Sequence, residues 1–187
     1  MPGWTAFDWS LAFCWTFVVA GLLRSFFFIR SMLTGAPSVP SSPAAVEAMC
    51  ALADLGPGKT VYDLGSGAGR LLFAAAALGA RAVGLELDPF KVVESRLLAW
   101  ASPDRERITV LWRDFRTADF AEADVVFVYL TAGKMAGLLD LLKGRLKPGA
   151  LVVSNSFVFP GLKPERTDEA NKIYTYRAPL QTRLPKG

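Results

Sequence analysis

Asp63, Gly65, Gly67, Gly69 and Glu86 are the residues whose types and spacing suit chemistry best. They lie in and after the run Val61-Tyr62-Asp63-Leu64-Gly65-Ser66-Gly67-Ala68-Gly69-Arg70, which leads into a second apolar run over 71–78. A strand that breaks into a glycine turn and then opens a helix is a cofactor-binding arrangement. Glycine allows the tight turn and lets a ligand approach bare backbone. The helix start behind it offers N–H groups without intrahelical partners. A dinucleotide loop has the spacing G-x-G-x-x-G and holds pyrophosphate at the helix N-terminus. Here the spacing is G-x-G-x-G, and Asp63 stands two residues before the first glycine. A carboxylate there repels a pyrophosphate and attracts a cationic amino acid group. Glu86 closes the next apolar segment, where an acid can accept hydrogen bonds from vicinal ribose hydroxyls.

Such residues need a sheet whose strands end at one edge. Residues 60–64 read as the first strand, and 70–78 as a helix stopped by Gly79. Residues 82–86 give the second strand. Asp88-Pro89 caps a helix reaching about Ala101, with Val93, Leu97 and Trp100 on one apolar face. Residues 108–111 form a third strand. The unbroken apolar run at 124–130 suits a central parallel strand. An amphipathic helix over 133–146 and a turn at Lys147-Pro148-Gly149 lead to a fifth strand at 150–154. Beyond it come a loop rich in proline and charge, one alternating strand at 172–177, and a basic tail. Before the core, Ser42-Pro43 caps a helix whose stripe is Val46, Met49, Cys50 and Ala53, stopped by Gly56-Pro57-Gly58. That helix is expected to cover one side of the cleft as core packing. Strands alternating with helices predict an α/β, Rossmann-like fold, with a mostly parallel sheet and helices on both faces. Ligands of such sheets sit beyond the carboxyl ends of the strands. The candidates fall there: Asp63 and the glycines, Glu86-Leu87, Asp114-Phe115, Tyr129 and Ser154-Asn155.

The glycine run and Val83-Gly84-Leu85-Glu86-Leu87-Asp88-Pro89 together resemble motif I and the acidic motif after it in the seven-strand S-adenosylmethionine-dependent methyltransferases. The resemblance implies S-adenosylmethionine as cofactor. It assigns the amino acid and ribose ends to Asp63, Gly65, Ser66, Gly67, Gly69, Glu86 and Leu87. Asp114 resembles the acid that accepts from the adenine amino group, with Phe115 beside the ring; it also suits an ordinary turn. Tyr129 and Asn155 are the candidate catalytic residues. Tyr129 would border the transferred methyl group; its alternative is a phenol at a strand end with its hydroxyl in water. With Pro37-Ser38-Val39-Pro40-Ser41 and Ser154-Asn155-Ser156-Phe157, residues 37–178 look like a group of small protein-lysine methyltransferases. That group includes a broad-specificity archaeal enzyme and membrane-anchored mitochondrial enzymes that modify ATP synthase subunit c and the adenine nucleotide carrier. The resemblance implies methylation of a protein lysine, most simply on a membrane protein. Alternatives are a small-molecule or lipid methyltransferase at a membrane, and a non-catalytic cofactor-binding or scaffold protein. Methyltransferases acting on nucleobase amino groups commonly carry Asn/Asp-Pro-Pro-Tyr/Phe after strand four. Tyr129-Leu130-Thr131-Ala132 stands there instead, which argues against nucleic acid.

Composition agrees with these expectations. Histidine is absent, and Cys14 and Cys50 lie in unrelated segments, so no metal site is expected. Methyl transfer from a sulfonium is an in-line displacement that depends on alignment, so the lack of histidine is no obstacle. The net charge of +4 alone does not argue for a nucleic-acid partner. Residues 9–23 carry no charge; Arg24 interrupts, and 25–29 resume before Arg30. A bilayer crossing takes about 20 predominantly apolar residues, which the segment reaches if Arg24 snorkels to the headgroups. An in-plane anchor and a helix packed on the domain's own surface are the competing readings. The expected organisation is an N-terminal membrane-anchor helix over 1–33, a linker over 34–42 and a methyltransferase domain over 43–187. The positive-inside rule puts that domain on the cytoplasmic side.

Overall fold

The structure, a computed structural model, describes residues 5–34 and 40–181. The expected linker therefore lies mostly outside the described residues, as does most of the basic tail. The apolar runs become parallel strands β1 (Thr60–Leu64), β2 (Arg81–Glu86), β3 (Ile108–Trp112), β4 (Val125–Val128) and β5 (Leu151–Asn155). An antiparallel pair, β6 (Arg166–Asp168) and β7 (Ile173–Arg177), completes a seven-stranded sheet of order β3-β2-β1-β4-β5-β7-β6. The alternating pattern revealed β7 alone. β6 is three residues of a charged edge, too short and polar to show a period of two. The chain steps outward from β1 to β3 and then returns to β4, so strand order reverses between β1 and β4. In open α/β sheets that reversal is where ligands bind.

Helices α2 (Pro43–Ala53), α3 (Arg70–Ala77) and α4 (Pro89–Ala101) follow the expected spans, and α5 (Ala132–Leu142) starts one residue early and stops four short. Ser42 caps α2 by accepting the Ala45 N–H at 3.2 Å, and Asp88 caps α4 by accepting the Phe90 N–H at 2.9 Å. Side chains alternate across the sheet. Val61, Phe127, Val153 and Ile173 pack with Met49, Cys50 and Leu72 from α2 and α3. Leu64, Val126, Val128 and Val152 pack with Met135, Leu138 and Leu142 from α5, joined by Phe120, Phe159 and Tyr176.

One apolar face behaves differently from an ordinary amphipathic helix, whose stripe faces the core. In α4 the buried residues are Val92, Ser95 and Ala99, whereas Val93, Leu97 and Trp100 are 56%, 64% and 74% exposed. Small residues are what the sheet accepts here, and the large apolar ones point outward.

Helix α1 (Ala6–Thr34) precedes the sheet domain. Thr5 and Asp8 cap it reciprocally: the Thr5 N–H donates to Asp8 Oδ2 at 2.8 Å and the Asp8 N–H to Thr5 Oγ1 at 3.3 Å. Its described side chains are nearly all exposed, including Phe13, Trp15, Phe17 and Leu22. Few of its described side chains are covered by the domain. The Phe27 ring meets Phe90 of α4 edge-on, with centroids 6.1 Å apart.

Candidate functional site

At the end of β1 the chain turns through Gly65 and Gly67 with φ of +82° and +54°, a region that favours glycine. The Gly65 and Ser66 N–H groups donate to Leu85 O at 2.8 and 3.2 Å, which fastens the turn to β2. A Cβ on Gly65 or Gly67 would meet no heavy atom within 4 Å. The turn is therefore open on its outer side, beyond the strand ends. Gly69 caps α3. Gly84 serves a different need: a Cβ there would lie 2.6 Å from both Leu72 Cδ1 and Ser66 Oγ. It lets the turn and α3 lie directly on β2, a role that glycine inside a strand often signals.

Glu86 is buried and its carboxylate is largely engaged. Oε2 accepts the Gly67 N–H at 2.8 Å; Oε1 accepts those of Leu87 and Asp88 at 2.7 and 2.8 Å. A carboxylate offers about four acceptor positions. Room remains for about one more donor, where the sequence suggested two ribose hydroxyls.

Asp63 lies beside it on the neighbouring strand, 6% exposed. No donor among the described residues reaches its carboxyl. Burial, and then the charge of Glu86, push its pKa from 3.8 up to about 7. A buried carboxyl without a donor is costly, and an ammonium group supplied from the open side would satisfy it. S-adenosylmethionine carries such a group, so the turn and Asp63 fit that cofactor. Cys50 lies close enough for the same carboxyl to act on it. Its thiol is pushed up to about 11 by burial and then by Asp63, which makes it a packing residue and not a nucleophile.

Asn155 ends β5, buried. Its Nδ2 donates to Ser41 Oγ at 3.3 Å, and its Oδ1 accepts from Ser156 Oγ at 2.8 Å. Arg70 Nη1 donates to Ser41 O at 3.0 Å. Ser41, just before α2, thus links the start of α3 to the end of β5. Ser41 was visible only as part of the Pro37–Ser41 run, with no sign of its partners. Tyr129 is half-buried at the end of β4. Asp114 is placed as a turn residue after β3. It accepts the Arg116 N–H at 2.9 Å and pairs with the Arg116 guanidinium at 2.6 Å, whose bonds hold its pKa below the usual carboxylate value. Phe115, half-buried, packs against the α5 side of the core. The structure brings Asp63, the glycine turn, Glu86 and Leu87 together, and engages Asp114 with its own neighbour.

Comparison with known proteins places the chain among methyltransferases. The family model described as the ANTKMT methyltransferase domain matches residues 63–166. The adenine nucleotide translocase lysine N-methyltransferase of Mus musculus is 36% identical over 129 residues, covering 68% of this chain and 56% of its own length. A protein-lysine N-methyltransferase of Saccharolobus islandicus (strain REY15A) is 30% identical, covering 74% of this chain and 89% of its own. The chain thus spans little more than half the length of the mouse relative. Among solved structures, an RNA methyltransferase from Salinibacter ruber in complex with S-adenosyl-L-homocysteine superposes with a TM-score of 0.73. It is 34% identical and covers 80% of this chain and 98% of its own.

Proposed function

Because the chain belongs to the ANTKMT methyltransferase family, which uses S-adenosylmethionine, we propose that it methylates the ε-amino group of a lysine on a membrane protein. The carrying observation is the buried, donor-free carboxyl of Asp63 beside an open glycine turn, at the strand-order reversal. Asp63 holds the amino group of the cofactor; Gly65, Ser66, Gly67 and Gly69 line its amino acid end. Glu86 and Leu87 hold the ribose, with Asp114 and Phe115 at the adenine end. When bound, the cofactor supplies an electrophilic methyl group on a sulfonium. Tyr129 and Asn155 border the arriving amine and orient it in line. The amine must be neutral to attack, and a cleft that excludes water lowers a lysine's pKa. The lysine assignment is supported by the names of the mouse and archaeal relatives.

The membrane half of the proposal is supported by α1. Within its stretch Ala6–Arg30, an 18-residue window has a mean hydropathy of 1.8 and none of that window is buried. Residues 1–33 act as the anchor, 34–42 as a tether and 43–187 as the catalytic domain, with Arg24 and Arg30 setting the domain on the cytoplasmic side. The test is mass spectrometry of lysines in membranes from cells with and without the protein, with RNA and extracted lipids from the same cells assayed for methylation. Methylated lysine that disappears with the protein is expected. Loss of methylation from RNA alone would assign the activity named for the Salinibacter protein, and loss from lipid alone the small-molecule alternative.

A further inference from the structure

Phe90, Val93, Leu97 and Trp100 recur at intervals that put them on one stripe of α4. The stripe lies opposite the buried Val92, Ser95 and Ala99. Leu97 and Trp100 are about two-thirds or more exposed. Trp112, on the neighbouring edge strand β3, is also exposed at 59%, and its indole N–H donates to Leu87 O at 3.0 Å. No described element covers this face. Its one large contact is with α1, through Phe27 on Phe90. The outward face of α4 is therefore continuous with a long, predominantly apolar helix whose described side chains are mostly exposed.

From this continuity we propose that the outer face of α4 rests in the lipid bilayer as a second membrane contact. Phe90, Val93, Leu97 and Trp100 lie at the boundary between headgroups and acyl chains. The proposal rests on the membrane reading of α1. A helix with one apolar face suits an in-plane position, and tryptophan is enriched at that depth. Two contacts, one through α1 and one through α4, fix how the domain sits on the membrane, which a single tether does not. The two contacts meet at Phe90, one residue into α4 and four after Glu86. The carboxyl edge of the sheet, where the cofactor site lies, is thereby held beside the membrane surface.

The test uses the full chain in vesicles of phosphatidylcholine and phosphatidylglycerol, with lipids brominated on the first acyl carbons as quenchers. Trp100 emission is read as the difference between the native chain and Trp100→Phe, and the α1 signal as the difference from Trp9→Phe and Trp15→Phe. Trp100 should lose about half or more of its emission, as expected for a face seated roughly 5–10 Å into the boundary. A Leu97→Glu chain should keep its fold, because the side chain is exposed, and should lose the Trp100 quenching while α1 stays quenched. Unquenched Trp100 with quenched α1 residues overturns the α4 contact and leaves the anchor standing. Unquenched residues at both places overturn both. Quenched Trp100 without α1 quenching supports α4 and removes the spanning helix. If Trp100 is unquenched and Leu97→Glu converts a detergent-solubilised oligomer to monomer, the face joins two copies of this chain and the proposal fails.

Discussion

A carboxyl buried at the end of β1 without a donor makes pH a probe of the site. Folded Asp63 keeps its proton up to about pH 7, whereas in the unfolded chain it ionises near 3.8. Between those values the folded state holds the extra proton. Asp63's contribution to stability without cofactor is therefore present at low pH and lost as pH rises through that window. Binding an ammonium group reverses the preference, because the cation needs the ionised carboxylate. Below pH 7, binding should release a proton, and affinity for S-adenosylmethionine should rise by up to about tenfold per pH unit before levelling off. Calorimetry in buffers of different ionisation enthalpy measures the proton directly. Asp63→Asn should bind more weakly and without that slope, while a native chain with pH-independent affinity would show that Asp63 does not meet the cofactor. Glu86 teaches a related lesson. Its type and position were readable, and the Leu87 and Asp88 N–H groups that it accepts are local, but the Gly67 N–H reaches it only because the turn folds over β2.

At the scale of elements, Gly84 and Gly137 are a matched pair. Gly84 sits in β2 beneath Ser66 and Leu72; Gly137 sits in α5 with nothing within 4 Å of an added Cβ. Gly84→Ala should push Ser66 and Leu72 aside, costing about 1–3 kcal/mol of stability and weakening cofactor binding by shifting the glycine turn. Gly137→Ala should be neutral or stabilise by up to about 1 kcal/mol through helix propensity, with binding unchanged. Urea unfolding and calorimetry on both variants check this. Equal effects would mean that β2 can move away from the turn without loss. The strands and helices were largely legible because long apolar runs and caps are local signals. The orientation of α4 was not. An apolar stripe says that a face avoids water, but not whether protein or lipid takes water's place.

Taken whole, the sheet's core draws on no described side chain of α1 on either side of its packing. Removing residues 1–33 should therefore leave a folded domain that binds cofactor. On the proposed reading, residues 34–42 tether the domain near membrane substrates and raise its effective concentration there. The truncated chain should thus lose methylation of a membrane protein far more than of a soluble peptide carrying the same lysine. Equal losses on both would point to a damaged domain, and no loss on either would limit the anchor to localisation. Sequence by itself determined the parallel α/β core, the glycine turn with its two acids and the uncharged N-terminal run. Each is a local pattern of residue type and spacing, and each is read within a few turns or strands. Only the tertiary structure decided that β6 completes the sheet, that Ser41 ties α3 to Asn155 and that the large apolar face of α4 points outward. Those outcomes depend on residues distant along the chain, or on which of two faces the sheet can accept, and no local periodicity carries that information.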